Sequence, residues 1–511
     1  MHPYLHAQAF PDKPAYIMAS SREALTYAEL DQQSNQAAHL LRSLGIESGD
    51  HLALFVENSL QFMVIVWACQ RAGVIFTTIS THLKREEVAY IADNCQARIF
   101  IGSQKLREVS TSVKPMLPSV EHFYMVGSEG DGFVSWEQSR QGFPTAPIAD
   151  EARGLPMLYS SGTTGRPKGI LPQFEAGVPI TEMNPLWSAM TAAFQYNQQT
   201  VYLSPAPLYH ASPLANNMMV VAAGGTSIIM EKFDAEQCLA LIDQHKVTHG
   251  QWVPIMFVRM LKLDSAVKDK YRMDTLRMAI HSAAPCPVDI KQQMIDWWGE
   301  VIVEFYSSTE AIGATMLNTQ QWLAHRGSVG FPVGCMLHIL DETDNELPTG
   351  EIGRVYFSSD NPPFEYFNCD EKSTVAYSAQ GYATVGDMGY VDEEGYLYLT
   401  DRADFMIISG GVNIYPQEIE NLLITHERVA DVAVFGLPDT EFGESVKAVV
   451  QRYHSDDALT EETLAEELAG FCRQHLSNVK CPRSFDFVEE LPRFDNGKLY
   501  KKGLREAYLR G

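Results

Sequence analysis

The sequence is poor in positive charge. Its 511 residues carry 39 Lys and Arg against 64 Asp and Glu, a formal net charge of −25. Such a surface repels polyanions, which excludes general nucleic-acid or anionic-membrane binding and requires any polyanionic ligand to meet a local basic patch. The eight cysteines include no Cys-x-x-Cys pair and no histidine at metal spacing, so a zinc site is not expected and the thiols read as reduced and buried. The N-terminus, Met-His-Pro-Tyr-Leu-His, lacks the basic and then apolar plan of a signal peptide. The most apolar later run, Leu214–Met230, is interrupted by Asn216, Asn217 and a Gly-Gly pair, too polar to span a bilayer. No internal repeat or low-complexity tract appears. What remains is ordinary globular composition, 45% apolar and 20% charged, in a chain long enough for two or three domains. The expectation is a cytoplasmic enzyme.

The most informative stretch is Tyr159-Ser-Ser-Gly-Thr-Thr-Gly-Arg-Pro-Lys-Gly169, directly after the apolar run 155–158 that reads as a strand end. Gly162, Gly165 and Gly169 let the backbone turn with its N–H groups inward, while Ser160, Ser161, Thr163 and Thr164 add neutral donors and Lys168 a positive charge. The segment suits phosphate. It is not a Walker loop, because Pro167 precedes the lysine and no hydroxyl follows it.

Around this loop the pattern alternates. Thr26-Tyr-Ala-Glu29 is a capping box that opens a helix running to Gly45, and residues 51–56, 60–71 and 74–79 read as strand, helix and strand. The same alternation returns at 200–203, 235–245, 278–281, 288–298 and 301–306, which implies parallel sheet in an α/β architecture. Past Gly350 the segments shorten, and Asp392-Glu-Glu-Gly395 joins two strand-like runs in what reads as a small antiparallel β unit. After Arg402 a compact pattern of strands at 405–408, 429–437 and 446–453 and helices at 416–424 and 460–476 predicts a small separate α+β domain. The boundary is placed at 401–404, giving a large domain over 1–402 and a small mobile one over 403–511.

Several motifs together resemble the adenylate-forming superfamily of acyl-CoA synthetases, aryl-CoA ligases, peptide-synthetase adenylation domains and beetle luciferase. Tyr159–Gly169 is similar to its phosphate loop, Leu208-Tyr-His-Ala-Ser-Pro213 to its histidine motif, and Ala284-Pro285 to its adenine-binding turn. Tyr306-Ser-Ser-Thr-Glu310 is similar to its adenylate motif, Gly386-Asp387 to its ribose aspartate, Asp401-Arg402-Ala-Asp404 with Ile408-Ser-Gly-Gly411 to its hinge and pantetheine segment, and Asn496-Gly-Lys498 to its catalytic lysine. The seven follow in family order over nearly the whole chain.

The resemblance implies ATP, Mg2+ and CoA as cofactors and a small-molecule carboxylic acid as the remaining partner; a second copy of the chain stays open as a partner. A carboxylate is a poor electrophile, and coupling it to AMP with loss of pyrophosphate makes a mixed anhydride that a thiol attacks. Such a site must neutralise a triphosphate, align carboxylate with α-phosphorus and exclude water. By resemblance Glu310 is the magnesium ligand, with Thr309 beside it, Thr164 belongs to the catalytic phosphate loop, Tyr306 stacks near adenine, Asp387 takes the ribose hydroxyls and Arg402 binds ribose or phosphate. Lys498 bridges carboxylate and α-phosphate oxygens during adenylation, and His210 lines the acyl site. On residue type alone the alternatives stay open: a capping glutamate, a turn aspartate, a surface ion pair, a core tyrosine, a structural histidine and a solvated C-terminal charge cluster.

A lysine on a small domain that must also admit a thiol requires a hinge, for which Asp404 matches the family position, while Gly410 and Gly411 offer bare backbone to pantetheine. By looser resemblance Phe442 flanks that tunnel and Lys480 and Arg483 meet the phosphates of CoA. Two departures stand out: Ser307 where glycine is usual, and Val385 where threonine is usual. Longer phrases, such as Gln251-Trp-Val-Pro-Ile-Met256 and Ala283-Ala-Pro-Cys-Pro-Val288, resemble the bacterial fatty-acid and steroid-side-chain CoA ligases. The pocket candidates His210, Met256, Ala283, Ser307, Ser308, Ala311 and Ile312 hold no Lys or Arg for a second carboxylate, so a hydrophobic monocarboxylic acid is expected. An aryl-acid ligase, an enzyme loading a carrier protein, a luciferase-like oxidase and a non-catalytic nucleotide binder are the alternatives.

Overall fold

The computed structural model describes residues 2–160, 167–359, 365–368, 377–402, 405–453, 459–493 and 497–510. By its internal contacts the chain forms two compact units. The first comprises Met1–Gln251, Ser265–Ala279 and Phe364–Lys372, the second Trp252–Asp264, Ile280–Pro363 and Ser373–Gly511.

The first unit is built on parallel sheet, as the alternation of strands and helices requires. Six strands run in the order Val134–Ser135, His122–Val126, Ile99–Ser103, His51–Phe55, Ile75–Thr78, Leu155–Pro156, every pair parallel. Both faces of a parallel sheet are covered, so successive residues of one strand enter different cores. Leu52 and Leu54 join one with helices Tyr27–Ser43 and Leu60–Ala72, whereas Ala53 and Phe55 join the other with helix Arg85–Asn94. The first core also takes Ala15, Tyr16 and Ile229 from strands Pro14–Met18 and Thr226–Ile229, so the two helices lie between two sheets. Pro14–Met18, Thr226–Ile229, Val201–Ser204 and His249–Trp252 pair in parallel in that order, with Ala24–Thr26 antiparallel at the edge.

Local chemistry sets the helix ends. Thr26 Oγ1 accepts from the Glu29 N–H while the Glu29 carboxylate accepts from the Thr26 N–H, the reciprocal pair expected from sequence. Helix Leu60–Ala72 is capped by Ser59 and buried from Phe62 to Ala72. It stops at Gly73, whose φ of +67° is left-handed and whose Cβ, if present, would sit 2.3 Å from Ser48 Oγ.

The second unit contains two antiparallel systems and an α+β lobe. Strand Ile302–Ser307 pairs antiparallel with Ala314–Asn318, which pairs with Phe331–Pro332. A four-stranded antiparallel sheet follows in the order Met336–Leu340, Gly353–Ser358, Asp387–Val391, Leu397–Arg402, its last two strands joined by the Asp392–Gly395 turn. The remaining sheet has the order Val412–Ile414, Ile407–Ser409, Gly443–Arg452, Val429–Asp439, with Ser484–Val488 parallel to Gly443–Arg452. Helices Pro416–Leu423 and Lys501–Arg510 pack on strand Val429–Asp439. Five described cysteines are buried as expected, but Cys286 and Cys335 are only half-buried. Among the described residues no helix is long and apolar enough to cross a membrane.

Candidate functional site

The sequence places the candidate phosphate loop after a strand, and the structure makes it the tip of a hairpin. Strand Leu158–Ser160 pairs antiparallel with Lys168–Leu171, Lys168 opposite Ser160, and the second strand pairs with Glu365–Phe367. Lys168 Nζ lies 4.8 Å from the centroid of the Tyr366 ring. Ser161, Gly162, Thr163, Thr164 and Gly165 lie outside the described residues, as does the hinge candidate Asp404. His210 is also in the first unit, at the N-cap of helix Ala211–Ala222, its ring 4.6 Å from that of Tyr209.

The second unit brings five candidates together across long stretches of chain. Tyr306, near the end of strand Ile302–Ser307, donates from Oη to Asp387 Oδ2 at 2.6 Å. Asp387 opens strand Asp387–Val391 after Gly386, whose φ of +86° makes the approach. Its other oxygen accepts from Arg402 Nε at 3.1 Å, and Arg402 sits opposite Asp387 in the adjoining strand. Glu310 and Lys498 stand within electrostatic range of this cluster.

The electrostatics follow from that crowding. Burial, the Asp387 carboxylate and its hydrogen bond push the Tyr306 phenol well above its ordinary value, so it stays a donor. Burial opposes charge on Arg402, but Asp387, Tyr306 and Glu310 together hold the guanidinium above its usual value. Lys498 keeps part of its surface exposed, yet the surrounding protein strips enough water to lower its ammonium pKa, and Arg402 lowers it further, with Asp387 and Glu310 opposing. Two cations beside two carboxylates leave the cluster formally neutral, with Arg402 and Lys498 the positive groups that a phosphate-bearing ligand could meet. Among the described residues no three His, Cys, Asp or Glu gather to hold a metal. A magnesium ion carried chiefly by nucleotide phosphates needs few protein carboxylates, and Glu310 beside these cations fits that role; when bound, it would neutralise phosphate charge.

The pocket candidates of the second unit are strained where they turn. Ala283 has φ +75° and Ala311 φ +51°, both left-handed without being glycine. Met256 and Ile312 are buried, Ala284, Pro285 and Thr309 partly so, and Ala283 and Ala311 are exposed. Ser307 Oγ donates to the Gly313 carbonyl at 2.8 Å, so this departure from glycine closes a turn rather than simply adding bulk. The Ser308 hydroxyl is buried with no hydrogen-bond partner among the described residues.

The CoA candidates divide. The Gly410 N–H donates to the Phe442 carbonyl at 2.8 Å, and the Arg483 guanidinium lies 4.7 Å from the Phe442 ring centroid, so Gly410, Gly411, Phe442 and Arg483 form one group. Lys480 instead pairs with Glu418 at 2.7 Å on the wall of a cavity of about 390 Å³ that Pro285, Asn413 and Tyr415 also line. Sequence reasoning did not single out Lys262, Asp431 or Arg493. Arg493 lies five residues before Lys498, and nothing in the sequence marks Lys262.

Comparison with known proteins identifies the family. Residues 5–366 match the AMP-binding enzyme family and residues 418–498 the AMP-binding enzyme C-terminal domain. The chain belongs to the AMP-binding enzyme family. It is 30% identical to the long-chain-fatty-acid–CoA ligase FadD13 of Mycobacterium tuberculosis, over 98% of this chain and 97% of that protein. It is 27% identical to the 2-succinylbenzoate–CoA ligase of Bacillus licheniformis, over 98% of each. Among solved structures, ATP-bound MatB from Rhodopseudomonas palustris superposes with TM-score 0.80 at 27% identity over 99% of each chain.

Proposed function

We propose that the protein is an ATP-dependent acid–CoA ligase acting on a hydrophobic monocarboxylic acid of fatty or steroid-side-chain type. Its class, an AMP-forming acid–thiol ligase using ATP, magnesium and CoA, is that of the family and of the CoA ligases it resembles. The observation that carries the reading is the convergence of Lys498, Arg402, Asp387, Tyr306 and Glu310 in one unit. In the first half-reaction a carboxylate oxygen bonds to the α-phosphorus of ATP, the bond to the bridging oxygen breaks and pyrophosphate leaves. Lys498 and Arg402 supply positive charge where negative charge develops on the transferring phosphate. In the second, the sulfur of CoA attacks the acyl carbonyl, its proton passes to solvent and AMP departs. Asp387 holds the ribose, the 160–165 loop with Thr164 and Lys168 holds the β- and γ-phosphates, and a hinge at Asp404 between residues 1–402 and 403–511 exchanges Lys498 for the Gly410–Gly411 segment.

Support for an apolar acid comes from buried Met256 and Ile312 and from the absence of Lys or Arg among the pocket candidates. The acceptor reading has a competitor: the fatty acid–[acyl-carrier-protein] ligase ScoC of Streptomyces coeruleorubidus is 28% identical over 98% of this chain. The deciding experiment is a pyrophosphate-release screen over fatty, aryl and steroid acids, with and without CoA. Acid-dependent release with acyl-CoA as product supports the proposal. Release with no thioester to CoA moves the acceptor to a carrier protein, and selectivity for aryl acids overturns the substrate class.

A further inference from the structure

Helix Pro254–Leu261 touches the Lys498 turn at one end and carries a second contact at the other. At its start, a Cβ on Gly497 would lie 2.6 Å from Val253 Cγ2 and 3.0 Å from Ile255 Cγ2, so the backbone next to Lys498 is seated directly on the first turn. At its end, Lys262 Nζ donates to the carbonyl of Val429 and to that of Ile424 at 3.3 Å, and lies 4.9 Å from the Tyr453 ring centroid. Ile424 is the C-cap of helix Pro416–Leu423, where carbonyls lack intrahelical partners and the partial charge is negative, so an ammonium is well matched.

The two contacts are joined by a chain of bonds. Val429 opens strand Val429–Asp439, and two residues on is Asp431, 3% exposed. Its carboxylate accepts from Arg493 Nε at 2.5 Å and Nη2 at 2.6 Å, a bidentate pair with a fixed orientation. Arg493 Nη1 donates to the Gly497 carbonyl at 2.5 Å, one residue before Lys498. A displacement of the 424–429 segment off Lys262 would thereby reach, through that bidentate pair, the backbone beside Lys498. Burial lowers the Lys262 ammonium to about 8, with Asp431 opposing, so this charge is held at a cost that two carbonyls and a ring only partly offset.

We propose that Lys262 is a positioning residue for the adenylation half-reaction, fastening the 424–431 segment and, through Asp431 and Arg493, the turn of Lys498. The proposal rests on the ligase reading above, and its test separates the two. In Lys262→Met the stem is kept and the donors are lost. Acid-dependent ATP–pyrophosphate exchange should fall in kcat by roughly tenfold to a hundredfold, as expected for a displacement of about 1 Å at a reacting group, with KM for ATP and acid unchanged. Thioester formation from supplied acyl adenylate should be unaffected. Lys262→Gln, which keeps N–H donors on a shorter, uncharged side chain, should lie between wild type and Lys262→Met, and carries the test if the methionine variant does not fold. Substrate-free hydrogen exchange gives an independent readout: amides of 429–437 and 497–504 should exchange faster in the variant. Equal loss in both half-reactions, or unchanged pyrophosphate exchange, overturns the proposal. If wild type yields no AMP with any acid the ligase reading falls, and unchanged amide exchange would then refute the fastening itself.

Discussion

Removing a single oxygen at Tyr306 tests the cluster most directly. The phenol donates at 2.6 Å to an aspartate whose side chain is 13% exposed, and whose other oxygen is held by Arg402 at 3.1 Å. A hydrogen bond to a charged group is worth about 1.5–3 kcal/mol, which at about 1.4 kcal/mol per tenfold is a factor of roughly 10 to 150. Tyr306→Phe keeps the ring and its packing against Phe357, centroids 6.2 Å apart, and leaves Asp387 its hydrogen bond from Arg402. If Asp387 must face the ribose in a fixed direction, KM for ATP should rise by about that factor while kcat changes much less, because the lost interaction serves ground state and transition state alike. The phenol's pKa is well above its ordinary value, so it remains a donor and the ratio of wild type to variant should stay flat from about pH 6 to 9. The assay is initial-rate pyrophosphate release against ATP at several pH values, with urea unfolding in parallel. A KM for ATP within about twofold of wild type, with only the urea midpoint lowered, would show the bond to be structural and refute the reasoning.

Lys498→Ala should reduce adenylation by about a hundredfold to a thousandfold, the usual effect of losing one charge-stabilising donor, and spare thioester formation from supplied acyl adenylate; Asp404→Pro should do the reverse. Glu310→Gln should raise the magnesium concentration needed for half-maximal rate, and an unchanged metal titration would remove Glu310 from that role. Glu304→Gln should cost about 3–5 kcal/mol in urea unfolding, because buried Lys291, which donates to that carboxylate at 2.6 Å, loses its counter-charge, and adding Lys291→Met should restore most of the loss. Burial raises the Glu304 carboxyl above its ordinary 4.5, so in Lys291→Met the contribution of Glu304 should be fully present below that pH and be lost as pH rises, read as the difference in urea midpoint between Lys291→Met and Lys291→Met with Glu304→Gln at acid and neutral pH.

Sequence reasoning reached what local chemistry controls. The Thr26–Glu29 capping box, helix Ala235–His245 and the strand before the phosphate loop all follow from short-range signals that the structure bears out. The region between residues 80 and 150 went unread, because Ile99–Ser103 and His122–Val126 are short strands, the first buried throughout, without the alternation that marks a half-solvated strand. At the site, motif order named Tyr306, Asp387 and Arg402 separately. That Tyr306 bonds to an aspartate 81 positions away is a tertiary fact with no local signature. The same holds for Asp431 and Arg493, separated by 62 positions, and for Lys262, whose partners are backbone carbonyls and so leave no trace in residue type.

If Ala283 and Ala311 line the acid pocket as proposed, their left-handed backbone bears on how selectivity could be redesigned. Residues branched at Cβ are disfavoured there by about 1–2 kcal/mol or more, whatever room surrounds these two exposed positions. A mutant library meant to admit bulkier acids would waste most of its valine, isoleucine and threonine codons at those two points. Diversity is better spent at Met256 and Ile312, where the main chain imposes no such tax, with Gly, Asn and Asp reserved for the alanines.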